Sequence, residues 1–198
     1  VDSAVWKRIV KPLLSEDWAL KARFAHIRPV GWVIHGVLWE ASASDPGFYL
    51  WRWRMPLYKP TTVISLSWSE RHGGGSQLYD PADESTQVSV SEAMSLVQAE
   101  AEREAIVVDP PGGADNIGTM EVRAYGLLLD GNAQGAIEVL ERVSRWSPES
   151  PWQVEMLRRA DSMRSMISDG HEDRARRILG EWRFGCLAAL GVLDEWDA

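Results

Sequence analysis

The chain has 198 residues, 45 % hydrophobic and 25 % charged, with a formal net charge of −8, which suffices for one ordinary domain with a real core. No apolar run nears the ~20 residues that cross a bilayer, and charges interrupt the first fifteen residues where a secretory signal needs an unbroken apolar core. A single cysteine, Cys186, excludes an internal disulfide framework and a cysteine-based zinc cage. The expectation is a soluble cytoplasmic protein with no membrane partner and a buried, inert thiol.

In chain order, Val5, Trp6, Ile9, Val10, Leu13 and Leu14 recur at helical spacing, and Pro12 predicts that this helix is short or kinked near its end. After Pro29 the pattern becomes that of strands. Gly31–Glu40, Phe48–Tyr58 and Thr61–Ser69 are rich in aromatic and β-branched residues, with the turn signals "ASASDPG" and "KP" between them. In the second strand Tyr49, Trp51, Trp53 and Met55 alternate with Phe48, Leu50, Arg52 and Arg54; in the third, Thr62, Ile64, Leu66 and Trp68 share a face. Short connections predict an antiparallel meander with one packed and one partly polar face.

From Ser89 the texture is helical. "SVSE" (Ser89–Glu92) matches a capping box and leads to Met94, Val97 and Ala101; "DPPGGADN" (Asp109–Asn116) reads as a linker. Helical stripes follow at Ile117–Leu128, at Ala136–Val143, after the helix start Ser150-Pro151, and from Ala175 to Leu190. Leu127–Leu140 echoes Met166–Leu179 at an offset of 39 residues, matching Asp130-Gly131 with Asp169-Gly170 and Ala136 with Ala175. Each copy resembles the helix–turn–helix unit of tetratricopeptide-type repeats, but two copies are fewer than a solenoid needs. The expected class is α+β: an N-terminal helix with a small antiparallel β-sheet over residues 1–109, acidic helix included, then a C-terminal bundle of two helical hairpins over residues 115–198. The two parts are separate domains or one continuous domain.

Charge is unevenly spread: residues 1–75 sum to +4 and the rest to −12, with eight acids between 80 and 109 facing only Arg103. Such a segment repels nucleic acid and attracts basic surfaces, or is simply a solvated helix face.

His72 stands before Gly73, Gly74 and Gly75. An oxyanion hole there would need a Gly-x-Ser-x-Gly elbow downstream, and a phosphate loop would need a Gly-Lys-Ser/Thr ending; the chain has neither, and its last lysine is Lys59. The loop reads as a connection, with any contact made through Arg71, His72 or its flexible backbone. His26, His35, His72 and His171 show no metal-ligand spacing, so neither metal nor cofactor is expected and no catalytic residue is assigned. Eleven tryptophans are the most unusual feature, five of them (Trp32, Trp39, Trp51, Trp53, Trp68) on predicted strands. Most fill core, yet Trp and Arg also anchor partners, which makes Arg52 and Arg54 beside Trp51 and Trp53 a candidate surface.

The order "KPLL" (Lys11–Leu14), "DWALKARF" (Asp17–Phe24), a tryptophan-bearing strand, "MPLYKP" (Met55–Pro60) and "ISLSWSERHGG" (Ile64–Gly74) resembles uncharacterised bacterial families encoded beside polymorphic toxins and regarded as immunity proteins. The similarity covers roughly the first 75 residues and brings no catalytic residue. It implies a cytoplasmic protein that neutralises a cognate toxin by occlusion, with Asp80, Asp83 and Glu84 as contacts to a basic-surfaced partner. The leading expectation is therefore a protein-binding module rather than an enzyme. The alternatives are a hydrolase using His72 or His35 with a carboxylate such as Asp80, and a tryptophan-lined sensor of a small ligand or carbohydrate.

Overall fold

A computed structural model describes residues 2–61, 63–103, 106–107 and 116–193. The protein is α+β, and its described residues fall into two compact units: 2–55 with 65–103, and those of 56–64 with those of 106–193. Thr62 and most of the expected linker (109–115) lie outside the described residues.

The first unit opens with α1 (Ser3–Val10), whose N-cap Asp2 accepts hydrogen bonds from the backbone N–H groups of Ala4 and Val5, both at 2.9 Å. Pro12 ends it as the sequence demands: the chain tightens into one 3-10 turn, Lys11–Leu13. Five antiparallel strands follow in meander order: β1 (Trp18–Leu20), β2 (Phe24–Ile27), β3 (Val33–Ala41), β4 (Phe48–Pro56) and β5 (Glu70–Arg71). Helix α2 (Glu84–Ala101) packs on β3 and on α1. β1 and β2 were not legible beforehand, being three and four residues long and too short to display a period.

Both sheet faces are packed, at opposite ends of β4. On one face Phe48 and Leu50 join Trp6, Val37, Trp39, Val90, Met94 and Val97 in a core under α1 and α2, where Trp6 meets the Phe48 ring edge-on at 6.2 Å. On the other face Trp53 and Met55 are buried, with Phe24 of β2 edge-on to Trp53 at 4.9 Å. The expectation of one packed and one partly polar face is corrected accordingly.

The expected third strand is corrected too. Among the described residues 63–69 no strand forms; the partner of β4 is only Glu70–Arg71. Side chains take the backbone groups that a ladder would use. The Thr61 hydroxyl serves Val63, the Ser65 hydroxyl serves the Ser67 N–H, and the carbonyls of Ser65 and Trp68 accept from Trp53 Nε1 (3.2 Å) and Arg54 Nε (3.1 Å).

The second unit contains α3 (Ile117–Leu129), α4 (Ala133–Ser144), α5 (Pro151–Ser168) and α6 (Glu172–Leu190), with α3 touching the other three. The 39-residue echo is geometric. Gly131 and Gly170 have φ of 85° and 78°. The N–H of each bonds three residues back, to Leu128 and Ile167, while Asn132 and His171 reach Leu127 and Met166. Those are the two bonds of a Schellman cap, made twice at matching positions. Ala136 and Ala175 are both fully buried one turn later, so each pair of helices packs closely. No described helix is long and apolar enough to cross a membrane.

Candidate functional site

The strand β5 pairs with β4 for two residues, Trp51 opposite Arg71 and Arg52 opposite Glu70. Because side chains alternate along a strand, this register sends Arg71 to one face and Glu70 to the other.

On the first face the Arg71 guanidinium lies 3.8 Å from the Tyr49 ring centroid and 4.9 Å from that of Trp51. It donates to Glu40 Oε2 on β3 at 3.3 Å and to the Gly75 carbonyl at 2.6 Å, and Trp51 Nε1 donates to the same Glu40 oxygen at 3.0 Å. The glycine turn makes this possible. Gly73 and Gly74 have φ of 75° and 96°, which carries the Gly75 carbonyl back under Arg71. A Cβ at Gly73 would stand 2.6 Å from the Tyr79 hydroxyl. The result is a platform of two aromatic rings, a cation and a carboxylate. Its side chains are half-buried, with 29 % of Arg71 and 38 % of Glu40 exposed. Such stacking is worth roughly 0.5–2 kcal/mol per contact, and it fixes the rotamers before anything binds.

On the opposite face Arg52 donates to both Glu70 and Glu100 of α2, and Arg54 donates to the Trp68 carbonyl. These five residues and Trp53 border a cleft of about 210 Å³. His72 sits on this face as well. Its ring stacks on Tyr79 at 6.2 Å, and its Nε2 lies 4.0 Å from Glu92 Oε2 of α2. Burial lowers the His72 pKa, Arg52 lowers it further, and Glu92 opposes both. Burial raises the Tyr79 pKa, helped by Glu92; the Tyr79 hydroxyl donates to the His72 carbonyl at 3.0 Å. A neutral imidazole beside a carboxylate has the elements of a general base, and its carboxylate here is Glu92, whereas Asp80 accepts from the Ala82 N–H.

The acids after the glycine turn serve local structure. Helix α2 begins at Glu84, five residues before the expected capping box, and Asp83 is its N-cap, accepting from the Ser85 N–H at 2.8 Å. That backbone hydrogen bond holds the Asp83 carboxyl below its ordinary pKa. Asp80, Asp83 and Glu84 are all exposed, and Glu84 lies in the first helical turn, where a negative charge complements the helix dipole. Residues Ser89–Glu92 lie inside α2. His35 is half-buried on β3, and His171 is the N-cap of α6.

The seven expected contact residues therefore occupy three places. Arg71 is on the aromatic face, Arg52, Arg54 and His72 are on the helix-covered face, and Asp80, Asp83 and Glu84 are at the start of α2. Sequence reasoning missed Tyr49 and Glu40 as members of the platform. Strand alternation had placed Tyr49 beside Trp51, but nothing local marked Glu40 as its acceptor.

It also missed a buried charge cluster in the helical unit. Glu121 of α3 has no exposed surface. Its Oε1 accepts from Tyr125 at 2.9 Å and from Arg159 at 2.8 Å, and its Oε2 lies 3.4 Å from Lys59 Nζ. Burial, then the Glu121 charge, push the Tyr125 hydroxyl well above the usual tyrosine range. Cys186 is buried, and its thiol donates to the Lys59 carbonyl at 3.3 Å; burial raises its pKa. Among the described residues, no group of three or more His, Cys, Asp or Glu side chains could hold a metal ion. In comparisons with known proteins, no family model, curated protein or solved structure matches the chain.

Proposed function

We propose that this protein is a protein-binding module, most concretely an immunity protein that neutralises a cognate bacterial toxin by occlusion in the cytoplasm. The observation that carries the reading is the Tyr49–Trp51–Arg71–Glu40 platform. Tyr, Trp and Arg are the residue types that dominate interface energetics, and their value is greatest where rotamers are fixed in advance. Here the Tyr49 and Trp51 rings and the Glu40 carboxylate hold the guanidinium, while part of each group stays open to a partner. The acid-rich start of α2 supports a partner with a basic surface.

The test is co-expression with the product of the adjacent gene. Protection from a toxic neighbour, lost on Trp51→Ala or Arg71→Ala with the fold intact, is the expected result; each substitution should cost about 2–4 kcal/mol of binding. A neighbour that neither binds nor harms the cell, or variants that protect fully, would refute the reading. A hydrolase remains the second reading because His72 lies beside Glu92; loss of a measured hydrolytic activity in both His72→Gln and Glu92→Gln would favour it.

A further inference from the structure

A second concave surface in the first unit lies apart from the aromatic platform. Between the chain entering β1 and helix α2 runs an open groove of about 460 Å³. Its existence follows from small side chains. Ser91 and Ser95 stand one turn apart on the same face of α2, and neither reaches across to the segment before β1. Beneath them Trp18 and Met94, 7 % and 5 % exposed, form an apolar floor. The charged lining is of one sign: Asp17 on one wall and Glu102 on the other. Helix α2 itself contains no lysine or arginine. At the Glu102 end, Arg103 folds back onto the Ala99 carbonyl at 2.7 Å.

We propose that this groove receives a short basic segment of a partner protein, with one apolar side chain over Trp18 and Met94 and lysine or arginine side chains facing Asp17 and Glu102. Charge decides the occupant. A cation entering the groove meets two carboxylates, and an acidic segment is repelled by the same pair. A second copy of this chain, at a net charge of −8, is disfavoured for the same reason. The apolar floor supplies what charge alone does not, namely a fixed register for the segment. The inference stands on different residues from the platform and does not depend on the toxin reading.

The experiment is fluorescence anisotropy of a short fluorescein-labelled Lys/Leu peptide titrated with the full chain, with a Glu/Leu peptide of equal length as the control. The Lys/Leu peptide should bind and the Glu/Leu peptide should not. Asp17→Asn combined with Glu102→Gln should weaken binding by about tenfold. Ser95→Trp, which fills the groove from an exposed helix position, should abolish it. Glu138→Gln with Glu141→Gln, exposed acids of α4, should leave it unchanged. If Ser95→Trp does not fold, the Asp17/Glu102 variant, which alters no packed residue, decides alone. The proposal is overturned if the wild-type chain binds neither peptide or both alike. It is also overturned if binding survives the groove substitutions, or if sedimentation reveals a homodimer that Ser95→Trp dissolves.

Discussion

Arg159 reaches the Glu121 carboxylate from 38 residues away, placing two guanidinium nitrogens on one oxygen at 2.8 and 2.7 Å, while Glu121 itself has no exposed surface. Burying a carboxylate is costly unless partners replace the water it lost, and here Arg159, Tyr125 and Lys59 do so. The cluster also fixes neighbours: Arg159 lies over the Trp182 ring at 5.7 Å, and Tyr125 packs on the same ring at 5.6 Å.

Glu121→Ala should therefore destabilise the helical unit by about 3–5 kcal/mol, because it strands a largely buried guanidinium. Replacing Glu121 and Arg159 together by methionine should cost much less than the two single changes combined. Urea unfolding followed by far-ultraviolet circular dichroism measures both. A single-substitution loss below about 1 kcal/mol would show that the pair is solvated and stabilises little.

The glycine turn should respond in a graded way. Gly73→Ala combines a positive φ with a Cβ 2.6 Å from the Tyr79 hydroxyl and should cost about 1–3 kcal/mol. Gly75→Ala enters open space at an ordinary φ and should be near neutral, within about 0.5 kcal/mol. Thermal unfolding of the two variants side by side distinguishes them; equal melting temperatures would contradict the geometry.

The two Schellman caps should be energetically equivalent. A Cβ at Gly131 or at Gly170 meets nothing within 4 Å, so substitution by alanine at either place costs only the left-handed backbone, about 1–2 kcal/mol. The expected result is matching losses in denaturant midpoint. A large inequality would mean that the caps differ in a way the shared hydrogen bonds do not capture.

His72 makes stability depend on pH. Its folded-state pKa is lowered from the ordinary 6.5, first by burial and then by Arg52. The unfolded chain thus takes up a proton at a higher pH than the folded chain does. The stabilisation is complete above about pH 6.5 and is lost as pH falls toward the lowered value. His72→Gln should flatten that part of the stability profile. In a proton NMR titration the His72 midpoint should lie below 6.5, and Glu92→Gln should move it lower still, since the Glu92 charge raises it. An upward move would reverse the assigned sign.

The sequence by itself determined the elements whose evidence is local. Helical spacing at Val5–Val10, the Pro12 stop, the long strands β3 and β4 and the paired Asp-Gly turns all rest on contacts within a few residues, where propensity and period suffice. It also showed that Gly73–Gly75 form a connection, because that needs only the missing motifs and the backbone freedom of glycine. Tertiary structure alone decided the rest. Whether Thr61–Ser69 becomes a strand depends on which groups claim its carbonyls, and Trp53 and Arg54 claim two of them from across the fold. Which arginine reaches an aromatic platform depends on the two-residue register of β5: Arg71 stacks on Tyr49, and Arg52 is held by Glu70 and Glu100. Nothing in the local sequence singles out Glu121, and only packing removed its water and supplied Arg159 in exchange. Period and propensity are short-range properties, while burial and charge pairing are properties of neighbours that the chain acquires only by folding.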